Sequence, residues 1–118
     1  MTSVRIFIRE GRRPLATRGR RAETPWERAW GLLGRSSMEP DEALWFDDCR
    51  SIHTFFMRVR LDLAYVNMRM EVVKLVEDLG PWRVSWCPAG RHVVELPAGS
   101  VRRLGLRRGE TLDLEVLA

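Results

Sequence analysis

The sequence predicts a mainly β domain of the α+β class, with one or two short helices. Three observations carry that prediction. Short β-branched or alternating runs recur at Val4–Ile8, Ala43–Phe46, Leu61–Asn67, His92–Leu96 and Thr111–Leu117. Gly, Pro and acidic clusters separate them. Helix signals are confined to two brief stretches. With 118 residues, the chain fits a single domain spanning 1–118.

Val4–Ile8 opens the domain as a strand. Gly11, Pro14 and Gly19 then punctuate residues 9–21, a basic loop or hairpin. Thr24-Pro-Trp-Glu27 is a helix start: Thr24 caps, Pro25 suits the first helical position, and Glu27 supplies the carboxylate of a capping box. Trp26, Ala29, Trp30 and Leu33 then share one helical face, and Gly34 closes it. After the acidic turn Glu39-Pro-Asp-Glu42, Ala43–Phe46 is a short apolar strand. In Leu61–Asn67, Leu61, Leu63 and Tyr65 share one face and Asp62, Ala64 and Val66 the other. Near the end, Ala98–Leu104 reads as a short helix stopped by Gly105, and Arg107-Arg-Gly-Glu110 as a turn. Met68, Val72, Leu75, Val76 and Leu79 keep helical spacing, so periodicity alone makes that segment a helix.

Composition excludes several classes. Hydrophobic residues are 45% and charged residues 31%, a globular balance. No window approaches a membrane span, and the start lacks a secretory apolar region, which leads to the expectation of a cytoplasmic protein. Two cysteines make no disulfide scaffold. Nineteen of the 20 basic residues are Arg. Residues 1–21 hold seven Arg against one Glu, so the net charge of +4 originates there. Such an arm is expected to make weak, non-specific nucleic-acid contacts through Arg9, Arg12, Arg13, Arg18, Arg20 and Arg21, because no aromatic residue interleaves Arg9–Arg21 to stack on bases.

Five blocks then occur in order: Glu27-Arg-Ala-Trp-Gly-Leu-Leu-Gly-Arg35, Ala43-Leu-Trp-Phe46, Cys49-Arg-Ser-Ile-His-Thr-Phe-Phe-Met57, Leu61-Asp62 and Val94-Glu-Leu-Pro-Ala-Gly99. In these the chain resembles domain of unknown function family 192, in the branch with a Cys-x-Ser-Ile-His-Thr-x-x-Met segment, from about Ala22 to Glu110. The resemblance implies a small, barrel-like antiparallel β domain, and it makes Val72–Leu75 a strand against the helical periodicity. Asn67-Met-Arg-Met70 replaces the family's usual Asp/Gly pair at the turn into that strand. The family carries no established activity.

Chemistry-bearing residues admit several readings. Cys49-x3-His53 and Cys87-x4-His92 offer four zinc ligands on paper, but strong knuckles use Cys-x2-Cys. Cys49-x3-His53-x3-Met57 imitates a copper loop without the second His that such sites need. The preferred reading has no metal and no cofactor. It is a polar pocket near His53, Asp62, Cys87 and Glu95, with Cys49, Thr54 and Met57 beside it, in a binding or accessory module for a small molecule or protein partner. Asp62 and Glu95 fall among apolar strand neighbours, where a carboxylate needs a partner: a backbone amide, His53, Thr54, or an Arg such as Arg58 or Arg60. Both are therefore expected to act first on the fold, so that Asp62→Asn and Glu95→Gln each destabilise. The enzyme alternative needs both carboxylates to converge with His53. A third reading compares Val93–Val116 with the swapped-hairpin fold of antitoxin regulators that bind DNA. Trp82 and Trp86, beside Pro81 and Pro88, are expected on a partly exposed rim, and Trp26, Trp30 and Trp45 in the core.

Overall fold

The computed structural model describes residues 1–24, 27 and 32–117. Nine strands are present among the described residues: β1 (Thr2–Ile8), β2 (Arg13–Ala22), β3 (Glu42–Phe46), β4 (Ser51–His53), β5 (Leu61–Val66), β6 (Val72–Leu79), β7 (Val84–Trp86), β8 (His92–Pro97) and β9 (Leu112–Val116). One short helix, α1 (Ser100–Leu104), lies between β8 and β9. Seven strands form a curled sheet in the order β6-β5-β8-β3-β2-β1-β9, while β4 and β7 pair separately. The family-based strand at 72–75 is correct, and the helical periodicity there is overridden by pairing with β5.

The sheet departs from the all-antiparallel expectation at one junction, where β2 and β3 run parallel. Its two edges approach each other at one end. Val72 N donates to Glu110 O at 2.8 Å and Leu112 N to Met70 O at 2.9 Å, so the sheet curls into a half-barrel. The Asn67–Met70 turn that leads there is held by the Asn67 side chain, whose Oδ1 accepts from the amides of Arg69 and Glu71.

Both faces of the central strands β3, β5 and β8 are buried, and that fact positions everything else. Inside the barrel lie Val4, Ile6, Trp45, Ala64, Val66, Val94 and Leu96, among others. Leu44, Phe46, Leu61, Leu63, Tyr65 and Val93 occupy the other face, under the β4–β7 pair and the chain around Leu32 and Met57. Every residue of β5 is buried in consequence. Tyr65 ties the small pair to the large sheet by donating from its hydroxyl to Ser85 Oγ at 3.0 Å.

The basic segment is a hairpin arm, as the sequence allows, but most of it is strand. Gly19 sits inside β2 because a Cβ there would lie 2.9 Å from Val4 Cγ2. Pro14 is tolerated because β3 pairs only with Arg18–Ala22, leaving Pro14 on a stretch with β1 alone beside it. The charge of the segment is met by acids from distant parts of the chain. Arg9 pairs with Asp113 at 2.7 Å, Arg18 with Asp41 at 2.6 Å and Arg21 with Asp47 at 2.5 Å, and Arg13 with Glu110.

The expected helix from Thr24 to Gly34 falls mostly outside the described residues, as do Trp26 and Trp30. Its capping box is formed: Glu27 N donates to Thr24 Oγ1 at 3.2 Å and Thr24 N to Glu27 Oε1 at 3.1 Å. The later helix is α1, closed by Gly105 at φ 63°. β8 and β9, the strands of the swapped-hairpin comparison, are not neighbours: β8 lies between β5 and β3, and β9 pairs with β1.

Candidate functional site

Of the two suspected carboxylates, Asp62 does what the sequence asks of it. It is fully buried inside the barrel, where Oδ1 accepts from Asp78 N at 2.9 Å and Oδ2 from Val101 N at 2.8 Å. Both oxygens hold backbone amides, one of them in α1. Asp62 thus fastens the helix and the far end of β6 to the central strand.

Glu95 departs from the expectation. It stands opposite Leu44 on β3 and Leu63 on β5, on the outer face of the sheet, with 4% of its surface exposed. Among the described residues no side chain or amide hydrogen-bonds its carboxyl. Two of the partners proposed from sequence are committed elsewhere. Arg60 pairs with Asp78 at 2.6 Å, and the Thr54 hydroxyl donates to Gly80 O at 2.6 Å while accepting from Arg83 N at 2.9 Å. Burial without a partner raises the Glu95 carboxyl to a pKa of about 8, so the acid is protonated at neutral pH.

What Glu95 meets is a pocket of about 480 Å³. Cys49, His53 and Met57 line it with Glu95, which brings together four of the residues singled out in the sequence. Thr54, Asp62 and Cys87 are not in its lining. Thr54 is buried in the loop behind it, Cys87 is in the outer core, and Asp62 is across the sheet. The rest of the wall is Ser51 and six apolar side chains: Leu32, Leu33, Phe46, Ile52, Phe55 and Phe56. The Cys49 thiol donates to Ser51 O at 3.0 Å.

The aromatic mouth was not legible as such. His53 stacks on Phe55 at 5.1 Å between centroids, Phe55 meets Trp82 at 5.8 Å, and Trp82 meets Phe56 edge-on at 4.7 Å. Phe56 is 72% exposed and Trp82 57%. Both hold left-handed backbone, φ 65° and 61°, uncommon for bulky side chains and concentrated at functional sites. Two adjacent phenylalanines with no alternation to bury them were the available signal. Trp82 and Trp86 are exposed and Trp45 is core, as expected.

The paper zinc set is dispersed. His92 Nδ1 accepts from Asp48 N at 3.1 Å, and burial pulls its pKa below the ordinary histidine value against the opposing pull of Asp47 and Asp48. Among the described residues no three His, Cys, Asp or Glu side chains are grouped to hold a metal ion.

Half-barrel and pocket together define a small β domain whose outer sheet face is roofed by a two-stranded flap and opens into an apolar pocket. The chain belongs to the DUF192 family ("Uncharacterized ACR"), whose profile matches residues 6–114. A UPF0127 protein of Thermococcus sibiricus is 35% identical over 68 residues, 56% of this chain and 43% of that protein. A UPF0127 protein of Pyrococcus furiosus is 38% identical over 65 residues, 53% of this chain and 54% of that protein. The chain thus spans about half the length of the curated relatives it matches. Among solved structures, a protein of unknown function from Novosphingobium aromaticivorans superposes with a TM-score of 0.79 at 22% identity, covering 94% of this chain and 83% of that one. One from Sinorhizobium meliloti, described as a candidate transcription regulator, superposes at 0.80 with 26% identity, covering 95% and 92%. No helix among the described residues is long and apolar enough to cross a membrane.

Proposed function

We propose that this domain is a binding module whose ligand is a small, largely apolar molecule seated between the outer sheet face and the β4–β7 flap. One observation carries this reading: Glu95, buried and without a partner, opens into a pocket walled by phenylalanine and aliphatic side chains. Its oxygens reach the pocket space, so a ligand group placed there can bond them without displacing a protein partner. Size and composition suit the role, since small-molecule sites are mostly apolar with a few convergent polar groups.

The enzyme reading loses its geometry, because Asp62 and Glu95 lie on opposite sides of the sheet and do not act on one substrate. Indole and 2-phenylethanol are suitable first probes. Their binding is expected to shift the NMR signals of Met57 and His53 and to slow alkylation of Cys49 by N-ethylmaleimide. If neither probe perturbs those residues at millimolar concentration, the pocket reading fails.

A further inference from the structure

We infer that the ligand of this pocket is an organic ammonium ion, an alkyl- or arylalkylamine whose charged nitrogen meets Glu95 and whose body lies against Phe46, Phe55 and Phe56. This rests on the pocket reading above and adds the charge of the occupant.

The chain carries 20 Lys and Arg residues, yet among the described residues none lines this pocket, and Glu95 is the one acid that does. Among the described residues, an anion entering here meets no cation and has an acid in its way. A cation finds a carboxyl that no described side chain or amide bonds. The wall is also rich in aromatic rings. Three phenylalanine rings line the wall, and the negative faces of such rings attract a desolvated cation. His53 stands at the rim against Phe55, where a ring nitrogen can accept a further ammonium N–H.

Proton balance follows directly. Before binding, Glu95 carries its proton. When the ammonium arrives, the carboxyl ionises to pair with it, and that proton goes to buffer. No bond in the ligand is made or broken. A neutral ligand would leave the proton in place.

Calorimetric titration of the full chain with 2-phenylethylammonium, 2-phenylethanol and 3-phenylpropanoate, in two buffers of different ionisation enthalpy, separates the possibilities. The ammonium ion is expected to bind at least about tenfold more tightly than the alcohol and to release close to one proton at pH 7. Its affinity should rise by about tenfold per pH unit below pH 8. Glu95→Gln should abolish both the proton release and the preference. Should that variant fail to fold, proton release by the unsubstituted chain still decides. Equal or tighter binding of the alcohol or the carboxylate, with no proton released, overturns the ammonium assignment and leaves the pocket standing. No binding by any of the three, with Met57 and His53 signals unmoved, overturns both.

Discussion

Asp62 and Glu95 stand on adjacent rungs of the β5–β8 ladder, where Asp62 faces Leu96 and Glu95 faces Leu63, and their side chains leave the sheet on opposite sides. A single register step therefore separates a structural carboxylate from one that opens into a pocket. The two should respond oppositely to neutralisation.

Asp62→Asn is expected to destabilise by roughly 2–3 kcal/mol, because one of the two amides, Asp78 N or Val101 N, then faces an NH2 group in place of an acceptor. Urea unfolding at neutral pH measures this. An unchanged midpoint would show that these bonds do not hold α1 and β6 in place.

Glu95→Gln, which the sequence reading expects to be destabilising, should instead be neutral or stabilising above neutral pH. The sign follows from protonation. The folded-state pKa is about 8, against 4.5 for the ordinary carboxyl, so the native chain holds a proton that the unfolded chain has lost. Stability from this group is complete below about pH 4.5 and falls as pH rises to 8, by an amount on the order of 5 kcal/mol as an upper bound. Unfolding series at pH 5, 6.5 and 8 should show that decline in the original chain and a flatter profile in the variant. Parallel profiles would mean that Glu95 is ionised or paired in the folded state.

The arginine-rich hairpin should bind nucleic acid weakly and without sequence preference. Arg9, Arg13, Arg18 and Arg21 are each neutralised by an acid from elsewhere in the chain. Exposed pairs of this kind add little stability, but they shrink the positive field available to phosphates. Titrating labelled duplex at low and high salt tests it, and sub-micromolar, sequence-selective binding at high salt would contradict it.

Both cysteines are free. Cys49, partly exposed at the pocket, should react with N-ethylmaleimide well before Cys87, which is buried in the outer core. Elemental analysis of the same preparation should show no stoichiometric zinc or copper. Equal thiol rates, or near-equimolar metal lost on Cys49→Ser, would require a different arrangement of the β4–β7 flap.

The sequence by itself determined five of the strands, β1, β3, β5, β8 and β9, and which of their residues share a face. On β5, Leu61, Leu63 and Tyr65 separate from Asp62, Ala64 and Val66 by period two alone, since side chains alternate across any strand. It also determined the capping box at Thr24 and Glu27, the stop at Gly105 and the burial of both carboxylates. The three-residue strands β4 and β7 were not legible, being too short to show alternation. Nor was the aromatic mouth, assembled from Phe55, Phe56 and Trp82 across a gap in sequence. Only the tertiary structure decided which buried carboxylate had partners. Asp62 receives amides from residues 16 and 39 positions away, whereas on the outer face no described side chain or amide reaches the Glu95 carboxyl. Alternation is a property of neighbours along the chain, while hydrogen-bond satisfaction depends on which distant strand is laid alongside, and that is settled only when the sheet closes.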